Sequence, residues 1–281
     1  MPSFQADGLR LHYSVVGTGP ACLVLAGGPG MDPAYLESMG GLDRFLTLYR
    51  LDHRATGGSE TPKDATAFSL AHYTADVEAF RMHLGLEEPV MLGHSHGGMI
   101  AMQHAIDHPG AAGKLVLVDT AAEVTEFLAD IDAAVQDYRH EPWFEDAYSA
   151  LQKEWAGEYE TAEELAEIVW SEMRFYFKTF GDRERAYKER IEHLPVNPIP
   201  LRWFNENEVE SMDLRPALES VQTPALVVAG RHDFITNVKM AADVAARLPH
   251  ADLVIFEESG HFPFIEEPER FRAVVRAFVT G

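Results

Sequence analysis

Gly93-His94-Ser95-His96-Gly97-Gly98 follows an apolar run at residues 89–92 and opens onto a helical pattern from Met99. A serine at such a strand-to-helix bend is forced into strained backbone angles, and the flanking glycines are needed because the bend leaves no room for neighbouring Cβ atoms. The bend lifts one hydroxyl clear of whatever the strand belongs to. Outward from it, short β-rich apolar runs recur at residues 9–16, 21–26, 47–52, 89–93, 114–119, 224–229 and 251–256. Helical patterns with apolar residues three and four apart lie between them at 73–84, 97–108, 238–247 and 268–279. Several of the strands are almost wholly apolar, as strands buried on both faces must be, and the alternation predicts an α/β fold: a mostly parallel sheet with helices on both faces.

A chain of 281 residues, 46% of them hydrophobic, suits one large core with an insertion better than two independent domains. Between the strand patterns ending near 119 and starting near 224, the sequence offers only amphipathic helical stretches, broken at Pro142, Gly157, Gly181 and residues 195–200. The predicted organisation is a core of residues 1–121 and 213–281 with a helical cap inserted at 122–212. Charge sets the same region apart: residues 123–213 hold 23 acidic and 9 basic side chains, a net −14 of the chain's −22. So negative a surface repels nucleic acid and anionic membrane, and neither is an expected partner. Residues 1–8 carry no cationic run followed by an apolar stretch, and no segment approaches the roughly 18 apolar residues of a membrane helix. The expected location is the cytoplasm. Cys22, the single cysteine, sits in an apolar run and reads as a buried structural thiol.

A serine hydroxyl is a weak nucleophile at neutral pH and needs a histidine base with a group to hold its tautomer. His261, in Glu258-Ser259-Gly260-His261-Phe262-Pro263, follows the last strand pattern; Asp233, in Gly230-Arg231-His232-Asp233, follows the one before. Ser95, Asp233 and His261 are therefore the predicted triad, with Asp119 at the end of another strand as the rival acid. His232 receives no role. Acyl transfer also needs two donors for the developing oxyanion. The backbone N–H of His96 is one candidate; the loop Gly27-Gly28-Pro29-Gly30 supplies the other, with Gly27 favoured over Gly28. No cofactor is implied. His104 and His108 lack the acidic residue that a zinc-binding helix would place between them and read as a helix face, so no metal site is expected.

With these residues assembled, the chain resembles the α/β-hydrolase superfamily, in particular the branch around proline iminopeptidases. Three segments carry the resemblance: Gly27-Gly28-Pro29-Gly30 with Met31-Asp32-Pro33-Ala34-Tyr35-Leu36 behind it, Leu51-Asp52-His53-Arg54-Ala55-Thr56-Gly57-Gly58-Ser59, and the Ser95 bend with Asp233 and His261 downstream. The resemblance implies an eight-stranded sheet with a helical cap between its sixth and seventh strands, and cap glutamates that bind a substrate's free α-amine. Candidates here are Glu172, Glu206, Glu208 and Glu210, none in a matching motif. The chain departs from the branch at Ala26, His53, Ala55 and His96, changes that touch peptidase specificity rather than fold or triad.

All four tryptophans fall in the cap region, with Phe175, Tyr176, Phe177, Phe180 and Phe204 nearby. Some must form the cap's own core. Trp143, Trp170, Phe175, Trp203, Phe204 and Glu208 are the predicted lining of an apolar pocket between cap and sheet. The predicted partner is a small molecule cleaved at an ester, lactone or amide bond, and a homodimer stays open. Carbon–carbon hydrolases, lyases and ligand-binding receptors of the same fold are alternatives, since they keep the same three residues. Epoxide and haloalkane chemistry is disfavoured because its intermediate forms on a carboxylate where this chain has Ser95.

Overall fold

The computed structural model describes residues 2–281. Eight strands form one sheet: β1 (Ser3–Ala6), β2 (Leu9–Gly17), β3 (Ala21–Leu25), β4 (Thr47–Leu51), β5 (Val90–His94), β6 (Lys114–Val118), β7 (Ala225–Gly230) and β8 (Ala251–Phe256), in the order β1-β2-β4-β3-β5-β6-β7-β8. β2 runs antiparallel to β1 and β4; every later pairing is parallel. The sequence reading lacked only β1, four residues whose alternating burial is too short to register as a pattern.

Parallel neighbours need crossover connections, and helices supply them. The helices are α1 (Leu70–His83), α2 (His96–Asp107), α3 (Leu128–Gln136), α4 (Phe144–Trp155), α5 (Ala162–Glu172), α6 (Asp182–Ile191), α7 (Pro198–Trp203), α8 (Arg215–Leu218), α9 (Val238–Arg247), α10 (Pro263–Glu266) and α11 (Pro268–Thr280). Because successive strand residues point to opposite faces, the central strands feed two cores. Leu23, Leu25, Met91, Leu115, Leu117 and Val227 meet Val77 and Phe80 of α1, Ile100 and Met102 of α2 and Val244 of α9. Cys22, Val24, Leu92, Val116, Val118 and Val228 meet Phe271 and Val275 of α11 and the turns holding Tyr35 to Leu46. Cys22 is fully buried, and desolvation pushes its thiol up to about 12, as befits a packing residue.

From α3 to α7 the chain between β6 and β7 is helical, and it rests on the carboxyl ends of the strands. Its two ends meet where Leu214 N donates to Ala122 O at 2.9 Å. It is tied to the sheet side elsewhere too: Asn197 N donates to Gly30 O at 2.8 Å, and Tyr187 Oη of α6 donates to Tyr35 O at 2.8 Å. No helix among the described residues is long and apolar enough to cross a membrane.

Candidate active site

β5 delivers Ser95 at φ 54° and ψ −123°, and α2 starts at the next residue. Glycine is obligatory beside it: a Cβ on Gly97 would lie 2.2 Å from the Leu25 carbonyl oxygen, and one on Gly93 2.3 Å from that of Gly97. The strained bend is pinned by its neighbours, with Ser95 N donating to Val118 O at 3.0 Å and Thr120 Oγ1 donating to Ser95 O at 2.7 Å. While the residues on either side are buried, Ser95 keeps part of its surface open.

The loops after β7 and β8 bring Asp233 and His261 together. His261 Nδ1 stands 2.8 Å from Asp233 Oδ2. Thr236 Oγ1 donates to the same oxygen at 2.7 Å, while the amides of Ile235 and Thr236 reach Oδ1 at 3.0 and 3.2 Å. Burial alone would push the Asp233 carboxyl up, but the His261 ring and these donors outweigh it and hold the group below its ordinary range. An ionised Asp233 accepts from Nδ1–H and leaves His261 Nε2 as the free acceptor. Ser95 Oγ is not hydrogen-bonded to the His261 ring in this state, a contact that substrate commonly tightens in such sites.

Asp119, the rival acid, makes no bond to His261. Its Oδ1 accepts from Gly230 N at 2.7 Å, and its Oδ2 has no partner among the described residues. Desolvation and the neighbouring Asp233 charge raise its carboxyl well above the usual range, whereas that of Asp233 is lowered.

The preference for Gly27 as an oxyanion donor needs correction. Its N–H donates to Tyr35 Oη at 2.7 Å, a partner eight residues along the chain that no local pattern signals. The amides of Gly28 and His96 have no acceptor among the described residues. The loop does lie against Ser95: a Cβ on Gly27 would fall 2.5 Å from that of Ser95.

The predicted pocket residues divide. Phe204 reaches the bend, its ring 5.1 Å from that of His96. Trp203, the residue before it, is half-buried with its indole N–H unpartnered. Trp143 and Phe175 pack on each other at 5.2 Å, and Phe175 on Phe234, next to Asp233, at 5.9 Å; Phe175 is fully buried and serves the core of the helical insertion. Trp170 belongs to the opposite core. Glu208 Oε1 accepts from Leu70 N at 3.1 Å, at the start of α1, which gives this glutamate a capping role. Glu206 and Glu210 are exposed.

Glu172 differs from the other glutamates. Fully buried, with Oε2 unpartnered, it accepts from Tyr176 Oη at 3.3 Å, and the Tyr176 ring stands edge-on to His261 at 5.5 Å. Burial first, then the neighbouring Glu154 carboxyl, raises it well above the ordinary range. Sequence reasoning missed Tyr35, Tyr73, Thr236 and the role of His94. The two departures His53 and His96 meet over Tyr73, at 5.5 and 5.4 Å between ring centroids, and burial pushes them down to about 4 and about 3, aided by the Arg54 charge at His53 and by His53 at His96. Both imidazoles are neutral at pH 7. Away from this site, Glu78, His104 and His108 bring ligand atoms within 4.8 Å of one another, but Arg81 already binds both Glu78 oxygens at 2.8 and 2.6 Å.

Fold and site together define the class. The chain belongs to the α/β-hydrolase fold family, whose model matches residues 21–268, and it is a hydrolase of that fold, proline iminopeptidase-like in sequence. It is 23% identical to a proline iminopeptidase of Saccharolobus solfataricus over 97% of this chain and 89% of that one. It is 28% identical to a pimeloyl-(acyl-carrier protein) methyl ester esterase of Vibrio parahaemolyticus, over 96% and 98%. Among solved structures, the enol-lactonase from Burkholderia xenovorans LB400 superposes with a TM-score of 0.77 at 23% identity, covering 100% of both chains.

Proposed function

We propose that this protein is a cofactor-independent serine hydrolase that cleaves an ester, lactone or amide of a small apolar substrate through an acyl-enzyme on Ser95. The observation that carries this reading is the 2.8 Å contact between Asp233 and His261, from loops after two different strands, at the sheet edge where Ser95 stands strained and accessible. Asp233 holds the Nδ1–H tautomer, so His261 Nε2 takes the Ser95 proton as Oγ attacks the acyl carbon. The amides of His96 and Gly28 receive the oxyanion. His261 then returns the proton to the leaving group; a water deprotonated at the same nitrogen attacks the acyl carbon, and His261 passes that proton to Ser95 Oγ as the Oγ–acyl bond breaks. Residues 122–212 act as the cap over this chemistry, on a core of residues 1–121 and 213–281, and the neutral His53 and His96 with Phe204 form one wall of the pocket.

The test is covalent labelling by a fluorophosphonate with steady-state hydrolysis of p-nitrophenyl acyl esters. Ser95→Ala is expected to abolish both; labelling that persists in the variant overturns the assignment. A second reading, an aminopeptidase acting on a free N-terminal amine, is favoured by one observation, the buried and incompletely partnered Glu172 behind Tyr176. Proline and alanine β-naphthylamides run beside the esters separate the two: a strong preference for the amides selects the second.

A further inference from the structure

His94, the residue before the proposed nucleophile, enters no step of the reaction, yet its ring is fully engaged. It is 1% exposed, with Nδ1 2.7 Å from Tyr35 Oη and Nε2 2.9 Å from the His261 carbonyl oxygen. The direction of each bond follows from the groups themselves. A carbonyl oxygen only accepts, so His94 Nε2 carries a hydrogen. Burial and the adjacent His261 ring push His94 down to about 3, so the ring is neutral and Nδ1 keeps its lone pair. Tyr35 must then donate its hydroxyl proton to Nδ1, and its free lone pair takes the Gly27 N–H at 2.7 Å. No other arrangement satisfies every group.

The chain of donors thus runs Gly27 N–H to Tyr35 Oη–H to His94, and His94 Nε2–H to the His261 carbonyl. His261 N donates in turn to Tyr176 O of the helical insertion at 2.8 Å. The two loops joined in this way leave strands β3 and β8, which are not neighbours: β5, β6 and β7 lie between them. At about 4.8 Å per strand the sheet alone leaves those strand ends roughly 19 Å apart. The pairing of the sheet therefore does not by itself bring the oxyanion loop to the base; contacts over its edge do.

We infer that His94 and Tyr35 are positioning residues, a directional bridge beneath the nucleophile that fixes the oxyanion loop relative to the base and turns the Gly27 amide away from the oxyanion. This rests on the proposed roles of Ser95, His261 and Gly28. The bridge acts on the reacting geometry and not on substrate contacts, so its loss belongs in kcat.

Tyr35→Phe removes a single oxygen, and His94→Ala removes the ring. Each is expected to lower kcat about 10- to 100-fold, the scale of an ångström-level misplacement, with KM changed less than about threefold. His94→Gln, whose amide donates and accepts at similar reach, is expected to restore most of the loss. Where His94→Ala fails to fold, Tyr35→Phe decides. A readout independent of turnover is the ring ¹⁵N spectrum in Ser95→Ala protein: His94 is expected as the neutral Nε2–H tautomer, untitrated between pH 5 and 8 while facing only His261, Asp233 and Tyr35. A His94 ring that titrates in that range, kcat within twofold of the parent in Tyr35→Phe, or a His94→Gln variant as impaired as His94→Ala overturns the inference. If the parent protein is not labelled at Ser95, the hydrolase reading falls instead, and the ¹⁵N result still judges the bridge.

Discussion

The sheet edge and the helical insertion each hold a pair of neighbouring carboxyls, and the two pairs behave differently. At the edge, Asp233 accepts from His261, Thr236 Oγ1 and two amides and its carboxyl is lowered, whereas Asp119 accepts from one amide and its carboxyl is raised. In the insertion, Glu172 has only a 3.3 Å bond from Tyr176, and both it and Glu154 are raised, by burial above all. Desolvation acts on all four, Glu154 being the half-buried one; the number of donors decides which carboxyl keeps its charge. An ionised carboxylate among donors can orient an imidazole. A pair whose carboxyls are raised is poorly suited to that, but its neutral form can give up a proton to a cationic group.

Asp233→Asn breaks the contrast most severely. The amide keeps the shape and loses the tautomer control, so kcat for an acyl ester is expected to fall by about 10³–10⁴, measured in steady state. A fall below about tenfold would remove Asp233 from its role. Glu172→Gln should leave ester kcat within about threefold, and under the aminopeptidase reading it should raise KM for a free-amine substrate about tenfold or more. The same variant sharpens the comparison through stability. A carboxyl raised in the folded state lends its full stability below its unfolded pKa and loses it as pH rises. Glu172→Gln is therefore expected to gain stability over the parent as pH increases from 5 to 8, on the order of 1–3 kcal/mol, or a few degrees in melting temperature. A gain that shrinks with rising pH contradicts the neutral state.

The smallest effect is expected at Asp119. Because Asp119 makes no bond to His261 and burial favours its neutral form, Asp119→Asn should change kcat less than about threefold, whereas Asp119→Ala should cost about 1–3 kcal/mol in denaturant unfolding by stranding the Gly230 amide. A large loss of activity in Asp119→Asn would mean that its charge, not Asp233 alone, serves the base.

Much of the fold was legible because its signals are local. Seven of the eight strands follow from apolar runs, the bend at Ser95 from glycines that nothing larger could replace, and the helical insertion from a long stretch without strand character. The identity of the lining was far less legible. Trp143, Trp170 and Phe175 were predicted beside Phe204 because all are aromatic in one segment, but aromatic residues serve a core as readily as a pocket, and only packing sorts them. Glu208 could not be read as a cap for α1, since its partner Leu70 is 138 residues away.

By itself the sequence determined the alternation of strand and helix, the strained serine, and the order in which serine, aspartate and histidine reach the same edge of the sheet. These depend on residues a few positions apart, where backbone sterics and side-chain period leave little choice. Only the tertiary structure decided that Tyr35 takes the Gly27 amide, that Asp233 and not Asp119 meets His261, and that His94 spans to a carbonyl 167 residues away. Each of those is a competition among buried donors and acceptors, and its outcome depends on which groups the whole fold brings within about 3 Å.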